Sequence, residues 1–290
     1  MLAVDNTRIL NVGRRLRLAW AINQTRRLRF VVDDAVARCP WVRATLVQHP
    51  ILFRPLTSGF LDLRLSRKEQ FESFAHDLDF TSTLIHREVS GFFPATLFLR
   101  LWQDPLNGYA VDLNMNLDHP QEGLWTVALH DPHQPRLFRI CFSVIAGPRL
   151  FVGSVQGGQS DGTTKVADLI RAATKNCHGL RPHFLLFDVL RTLASIWRIG
   201  EIRGIATNRQ LKAQSSGKRA RAVRFSYDGY FKELGGLRAL DGNWDVPADR
   251  PARSDAEIPS RKRTMYRRRA EFIAGMRAAV SASIRGAASG

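Results

Sequence analysis

Ala110-Val111-Asp112-Leu113-Asn114-Met115-Asn116-Leu117 alternates apolar and polar side chains, the period-two signature of a strand with one buried face. Three further runs follow it: Leu124-Trp125-Thr126-Val127-Ala128-Leu129, Leu137-Phe138-Arg139-Ile140-Cys141-Phe142-Ser143-Val144, and Leu150-Phe151-Val152-Gly153-Ser154-Val155. Turn formers separate them, at Asp118-His119-Pro120, Asp131-Pro132-His133 and Ala146-Gly147-Pro148. Short strands joined by tight turns predict an antiparallel meander.

Downstream of the meander the period changes. A helix is expected over 165–176, with Gly179 placed to stop it and Pro182 to start another. That second helix carries Leu186, Val189, Leu190, Leu193 and Trp197 on one face and ends by Gly200. Residues 202–206 then read as a strand. Strand, helices and strand in that order imply a crossover, which places the last strand parallel to its neighbour. Upstream, helices are expected over 33–47 and 67–78, separated by the turn His49-Pro50 to Arg54-Pro55. Residues 212–224 read as a loop, and 239–259 are rich in Asp, Pro and Gly with little periodicity. A last helix begins near Ser260 and carries Phe272, Ile273, Met276 and Val280. The expectation is an α/β (α+β) fold, a mixed and largely antiparallel sheet with flanking helices, over 49–285. A basic, helical N-terminal segment precedes it over 1–48.

Within that segment, residues 9–30 form an amphipathic pattern. Leu16 and Trp20, and Leu18 and Ile22, share a face, and Arg14, Arg15, Arg17, Arg26 and Arg27 flank it. Such a helix either lies on an anionic membrane surface or packs on its own domain. Its apolar run is too short for a secretory core. No stretch reaches the roughly 20 apolar residues that span a bilayer.

The chain has 290 residues, 44% of them hydrophobic, enough for a sizeable core. Lys and Arg number 43 against 26 Asp and Glu, giving +17 at pH 7. That balance attracts polyanions, whether nucleic acid, a phosphorylated ligand or an anionic membrane face, and is equally the mark of a solvated basic surface. The 3 cysteines, Cys39, Cys141 and Cys177, form no Cys-x-x-Cys pair. Their odd number argues against a disulfide framework or a cysteine-based zinc site and fits a reducing cytoplasm.

The segment from Gly153 to Gly162 follows a strand and precedes a helix, a setting in which backbone amides cradle phosphate or simply turn. It matches neither a P-loop nor a dinucleotide fingerprint. In His178-Gly179-Leu180-Arg181-Pro182-His183, Arg181 stands at a helix start, where the macrodipole disfavours positive charge. It therefore wants an anionic partner, either a substrate phosphate or an internal carboxylate such as Glu201. His178 is placed to act as a base or to cap and pack. His130-Asp131-Pro132-His133 lacks a third ligand, so no metal site is expected. No nucleophile elbow, Ser/His/Asp signature or zinc-protease motif is present. The densest positive cluster, Arg261-Lys262-Arg263-Thr264-Met265-Tyr266-Arg267-Arg268-Arg269, suits stacking on a base or headgroup, or clamping to Asp245, Asp249, Asp255 and Glu257.

Taken together, these pieces resemble the VirK/YbjX family. The resemblance rests on His49-Pro50 with Arg54-Pro55, Glu122-Gly123-Leu124-Trp125, Phe142-Ser143, Val152-Gly153-Ser154-Val155-Gln156-Gly157 and His178-Gly179-Leu180-Arg181-Pro182. Tyr227-Asp228, Glu233-Leu234-Gly235-Gly236 and Ile258-Pro259-Ser260-Arg261-Lys262-Arg263 extend it. Two departures stand out: Phe231 where the family tends to have Trp, and Asn208-Arg209-Gln210 where it tends to have a His. The resemblance implies a Gram-negative accessory factor linked to virulence, surface-protein localisation and resistance to antimicrobial peptides. The order of strand, His178-Gly179-Leu180-Arg181, long helix, strand and Tyr227 segment is also similar to GNAT acyltransferases, although their Arg/Gln-x-x-Gly-x-Gly/Ala signature is not met. That second likeness implies acyl transfer from a coenzyme A thioester. Glu122, His178 and Tyr227 would be its proton-handling residues, and Gln156, Gly157 and Arg181 would hold the cofactor. Against this stand a non-catalytic module that binds membrane or a protein partner, and a nucleic-acid binder. The expected place is the cytoplasm, peripheral on the inner membrane.

Overall fold

The computed structural model describes residues 48–88, 98–132, 134–158, 166–211, 225–249 and 258–289, with isolated positions at 33, 34, 37, 45 and 213. The helix expected over 9–30 lies outside the described residues. So do most of the helix over 33–47 and nearly all of the loop over 212–224.

A 3-10 turn, Pro50–Phe53, leads into α1 (Arg54–Ser58), and each begins with a proline in its first turn. Helix α2 spans Arg67–Glu88. Ser66 and Glu69 start it with a reciprocal box: the Glu69 amide donates to Ser66 Oγ at 3.2 Å and the Ser66 amide to Glu69 Oε2 at 2.7 Å. Its buried Phe71, Phe74 and Leu78 are the face the sequence shows, and the helix runs on past the expected end at 78.

The strands are β1 (Phe98–Gln103), β2 (Ala110–Met115), β3 (Trp125–Asp131), β4 (Gln134–Ile145) and β5 (Arg149–Gly157). Helices α3 (Val166–Asn176) and α4 (Pro182–Ile196) follow, then β6 (Glu201–Gly204), α5 (Tyr227–Glu233), β7 (Leu237–Arg238), β8 (Trp244–Pro247) and α6 (Arg263–Ser289). They form one eight-stranded sheet in the order β1-β2-β3-β4-β5-β6-β8-β7. Every neighbour is antiparallel except β5 and β6, which run parallel through the α3–α4 crossover. This is the expected mixed, largely antiparallel sheet. The sequence reading left out the β7–β8 hairpin, whose residues fall partly in the stretch read as aperiodic.

Among the described residues, one helical layer covers the sheet: α4 packs on β3 and β4, α2 on β4, and α6 on β1, α2 and α4. Lying beneath α6, α4 is buried all round from Phe184 to Ala194, Asp188 and Arg191 included. Asp188 Oδ1 holds Arg191 Nη1 at 3.6 Å and Arg277 Nη2 at 3.4 Å, so the buried charge is compensated from two helices. No described helix is long and apolar enough to cross a membrane.

Candidate functional site

Strand β5 outruns β6. The two pair only from Arg149 with Glu201 to Val152 with Gly204, after which the chain leaves β6 for a 3-10 turn at Thr207–Arg209. At the same point β5 carries a bulge, where the register against Cys141 and Phe142 skips Gly153. The bulge rephases the strand, so that Val155 turns both backbone polar groups to the open side. Tyr227 Oη meets them there, 3.3 Å from the Val155 nitrogen and 3.4 Å from its oxygen. Both contacts are longer than the usual 2.9 Å or so.

Tyr227 is well held. Ser226 Oγ caps α5 by accepting from the Gly229 amide at 3.2 Å. The Asp228 amide donates to Thr207 Oγ1 at 3.1 Å, which ties the helix start to the turn after β6. Burial holds the Tyr227 phenol well above its ordinary range, with the negative charge of Glu122 adding to the effect. The phenol therefore keeps its proton.

Glu122 sits beside the bulge in a 3-10 turn, Pro120–Glu122, and is fully buried. Asn116 locks that turn, its amide donating to the His119 and Gly123 carbonyls at 2.8 Å each. Each Glu122 oxygen takes a carboxamide: Oε2 from Gln156 Nε2, and Oε1 from Gln210 Nε2 at 3.1 Å. Gln156 Oε1 in turn accepts from Arg139 Nη2 at 2.8 Å, and Arg139 Nη1 reaches Asp118 Oδ2 at 2.6 Å. Arg139 pairs with Gln156 across the sheet and Cys141 with Ser154, so all four share one face, with Thr126 beside Cys141. That face lies opposite the helical layer, because the alternate residues Phe138 and Phe142 touch His183 and Trp197 on the α4 side. Burial pushes the Cys141 thiol up, so it stays protonated and is a poor nucleophile.

Of the residues singled out in the sequence, the structure thus brings Glu122, Gln156 and Tyr227 together. Gly157 lies at the end of β5, paired with Phe138. His178 and Arg181 make their contacts elsewhere. His178 ends α3 in the left-handed region (φ 53°), stacks edge-on against Phe272 with ring centroids 5.7 Å apart, and accepts Arg269 Nε on its carbonyl at 3.1 Å. Arg181 has the carboxylate its position demanded, but it is Glu233 rather than Glu201, and the guanidinium also stacks 4.6 Å from the Phe184 ring. Glu201 lies 3.7 Å from Arg149 instead. Asp245, suggested as a clamp for the basic cluster, pairs with Arg203 at 3.0 Å. In the His130 motif, His130 Nε2 lies 2.8 Å from buried Asp112. Sequence reasoning missed Gln210 and Arg139. Arg139 left a readable trace, a charge at an alternating position of an otherwise apolar strand. Gln210 left none.

The geometry defines an α/β protein with a satisfied buried acid, two carboxamides and a neutral phenol gathered where a parallel strand pair splits. The chain belongs to the family described as protein of unknown function (DUF535), the VirK/YbjX family, whose model matches residues 11–282. An uncharacterized protein of Haemophilus influenzae is 28% identical over 239 residues, 77% of this chain and 76% of the relative. The uncharacterized protein YbjX of Escherichia coli is 24% identical over 260 residues, 87% of this chain and 78% of the relative. Membrane protein LapB of Mannheimia haemolytica is 25% identical over 188 residues, 62% of this chain and 77% of the relative. No solved structure matches the chain.

Proposed function

We propose that this protein is an accessory factor of the Gram-negative cell envelope that works by acyl transfer from a coenzyme A thioester. The observation that supports it is the β5–β6 split, with a neutral phenol on the open strand edge and a buried carboxylate beside it. When bound, the thioester supplies an activated acyl carbonyl. Glu122 is the group able to accept a proton from an amine or hydroxyl, and Gln156 and Gln210 fix its orientation. Tyr227 retains its proton and is the group able to give one to a leaving sulfur.

The residues fit the cofactor at one end. The Val155 N–H and C=O, met only through long contacts to Tyr227 Oη, are the groups an amide-bearing arm would pair with once that buried edge opens. The phosphate end has no partner in Arg181, which Glu233 occupies, and the Gly158 amide already donates to Leu137. The name of the Mannheimia relative, a membrane protein, supports work at a membrane, for which we propose the cytoplasmic face of the inner membrane. Effects on virulence, surface-protein localisation and antimicrobial-peptide resistance would follow from that work.

The test is calorimetric titration with acetyl-coenzyme A and with coenzyme A, backed by melting curves. A ligand at a hundred times its Kd adds about 2.7 kcal/mol of stability. Tyr227→Phe is expected to keep the fold and the ligand-induced shift while losing turnover. An unchanged melting temperature in millimolar coenzyme A would overturn the proposal. It would favour a non-catalytic module that binds membrane or a protein partner, the reading supported by the internal pairing of Arg181 and the packing of His178 on Phe272.

A further inference from the structure

On the helical side of the sheet, away from Glu122, a groove of about 730 Å³ runs between α4, α6 and the end of β8. This falls within the range of roughly 300–1,000 Å³ common to small-molecule sites. Arg191, Arg198, Arg277 and Arg285 line it, with Ser195 and a single acid, Asp249. Beneath it, buried Asp188 is shared between Arg191 and Arg277.

Two details separate the groove from an ordinary basic surface. The Nε–H of Arg277 is buried with no hydrogen-bond partner among the described residues, so a guanidinium donor has been taken out of water without compensation from them. Arg191 cannot swing away, because its Nε and Nη2 donate to the carbonyls of Pro247 at 3.1 Å and Leu234 at 3.2 Å. Rigid planar guanidinium forks on adjoining helices match the oxygens of a phosphate, which binds them bidentately.

We propose that this groove binds a phosphate-bearing ligand, either a free phosphate compound or the headgroup of an anionic lipid. Both sources present the same doubly charged group to Arg198, Arg277 and Arg285, with Arg191 fixed behind them. The site is separate from the Glu122 cluster, and its occupancy does not depend on acyl transfer.

Inorganic pyrophosphate is the probe for the free source, titrated into the full chain by calorimetry. Vesicles of phosphatidylcholine with and without phosphatidic acid probe the lipid source. The decisive comparison is between two double variants that lose equal charge at different places on the fold. Arg198→Gln with Arg285→Gln empties the groove rim; Arg267→Gln with Arg268→Gln removes two exposed charges near the start of α6. All four positions are exposed, and melting without ligand checks that both variants fold. The first pair is expected to weaken binding at least tenfold, on the order of 1.4 kcal/mol, and the second to leave it nearly unchanged. Arg277→Lys, which keeps the charge but loses the Nε donor, is expected to weaken binding as well. Pyrophosphate binding lost in the groove variant identifies a free ligand. Selective binding to phosphatidic acid, lost in the same variant, identifies a lipid. Equal losses in both double variants, or no binding to either probe, would overturn the proposal.

Discussion

Asp77 projects from α2 into the core, where its Oδ1 accepts the Trp125 indole N–H at 3.2 Å and hydrogen bonds from Ser143 and the Val144 backbone offset part of its burial. Burial raises its carboxyl to about 7 from an ordinary 3.8. His183 is the opposite case. Its ring lies among Phe138, Phe184, Phe225 and Tyr230, and burial, helped by Arg181, lowers it to about 4 from 6.5. Asp77 binds its proton more tightly folded than unfolded, so its contribution is complete below pH 3.8 and is lost as pH rises through about 7. His183 contributes fully above pH 6.5 and loses that contribution as pH falls through about 4. At about 1.4 kcal/mol per pH unit, the effects are about 4 and about 3 kcal/mol and nearly cancel. Wild-type stability, read from urea unfolding, should therefore be almost flat between pH 4 and 7. Asp77→Asn should lose stability toward pH 4, and His183→Gln should gain it. Parallel profiles in both variants would show that neither group titrates as its surroundings dictate. Neither environment was readable locally, since a helical Asp three residues from Phe74 and from Phe80 says nothing of the strand it will meet.

Strand β5 shows how one residue sets an element's geometry. A Cβ on Gly153 would stand 2.1 Å from the carbonyl oxygen of Glu122, so only glycine lets the turn that carries the acid close onto the bulge. Gly153→Ala should cost about 1–3 kcal/mol, as overpacking does, and should also displace Glu122 from its carboxamides. Gly200→Ala, where a Cβ meets nothing within 4 Å, is the matched control and should be near neutral by chemical denaturation. Comparable losses in the two would refute the close-approach argument. The long strands β2 to β5 were legible because their apolar residues alternate over enough positions to fix a period. In β8 only Trp244 and Val246 are buried, and in β7 neither residue is, so two or three alternations among Asp and Gly carried no signal. The site divides along the same line. Gln156 lies in β5 and Glu122 shortly before β3, and both could be found, whereas Gln210 reaches Glu122 across 88 positions of sequence through a turn with no motif. Arg181 signalled that it needed a carboxylate, but sequence could not choose between Glu201 and Glu233, because the choice is made by how α5 docks on α4.

At the scale of the molecule, the +17 charge said that anions would be attracted without saying where. The fold answers by drawing arginines from α4 and α6 into one groove, and this makes α6 a structural and an electrostatic element together. Its apolar positions follow the helical period seen in the sequence. Met276, Val280 and Ile284 are all buried, Trp102 on β1 meets Phe272 edge-on at 5.5 Å, and Ser283 Oγ donates to the Leu101 carbonyl at 3.0 Å. Full burial of such side chains is worth about 1.5–3 kcal/mol each, so the three together supply roughly 5–9 kcal/mol. That is comparable with the whole net stability of a domain, about 5–15 kcal/mol. Ending the chain after Gly275 should therefore abolish a cooperative melt and expose apolar surface to a hydrophobic dye. It would also leave Asp188 with one guanidinium fewer. Ile284→Ala is the graded version: at about 2–5 kcal/mol, it should lower Tm by roughly 5–15 °C at this chain length. A truncated chain that still melted cooperatively near the wild-type temperature would mean that the sheet, α2 and α4 form a self-sufficient core and that α6 is kept chiefly for its arginines.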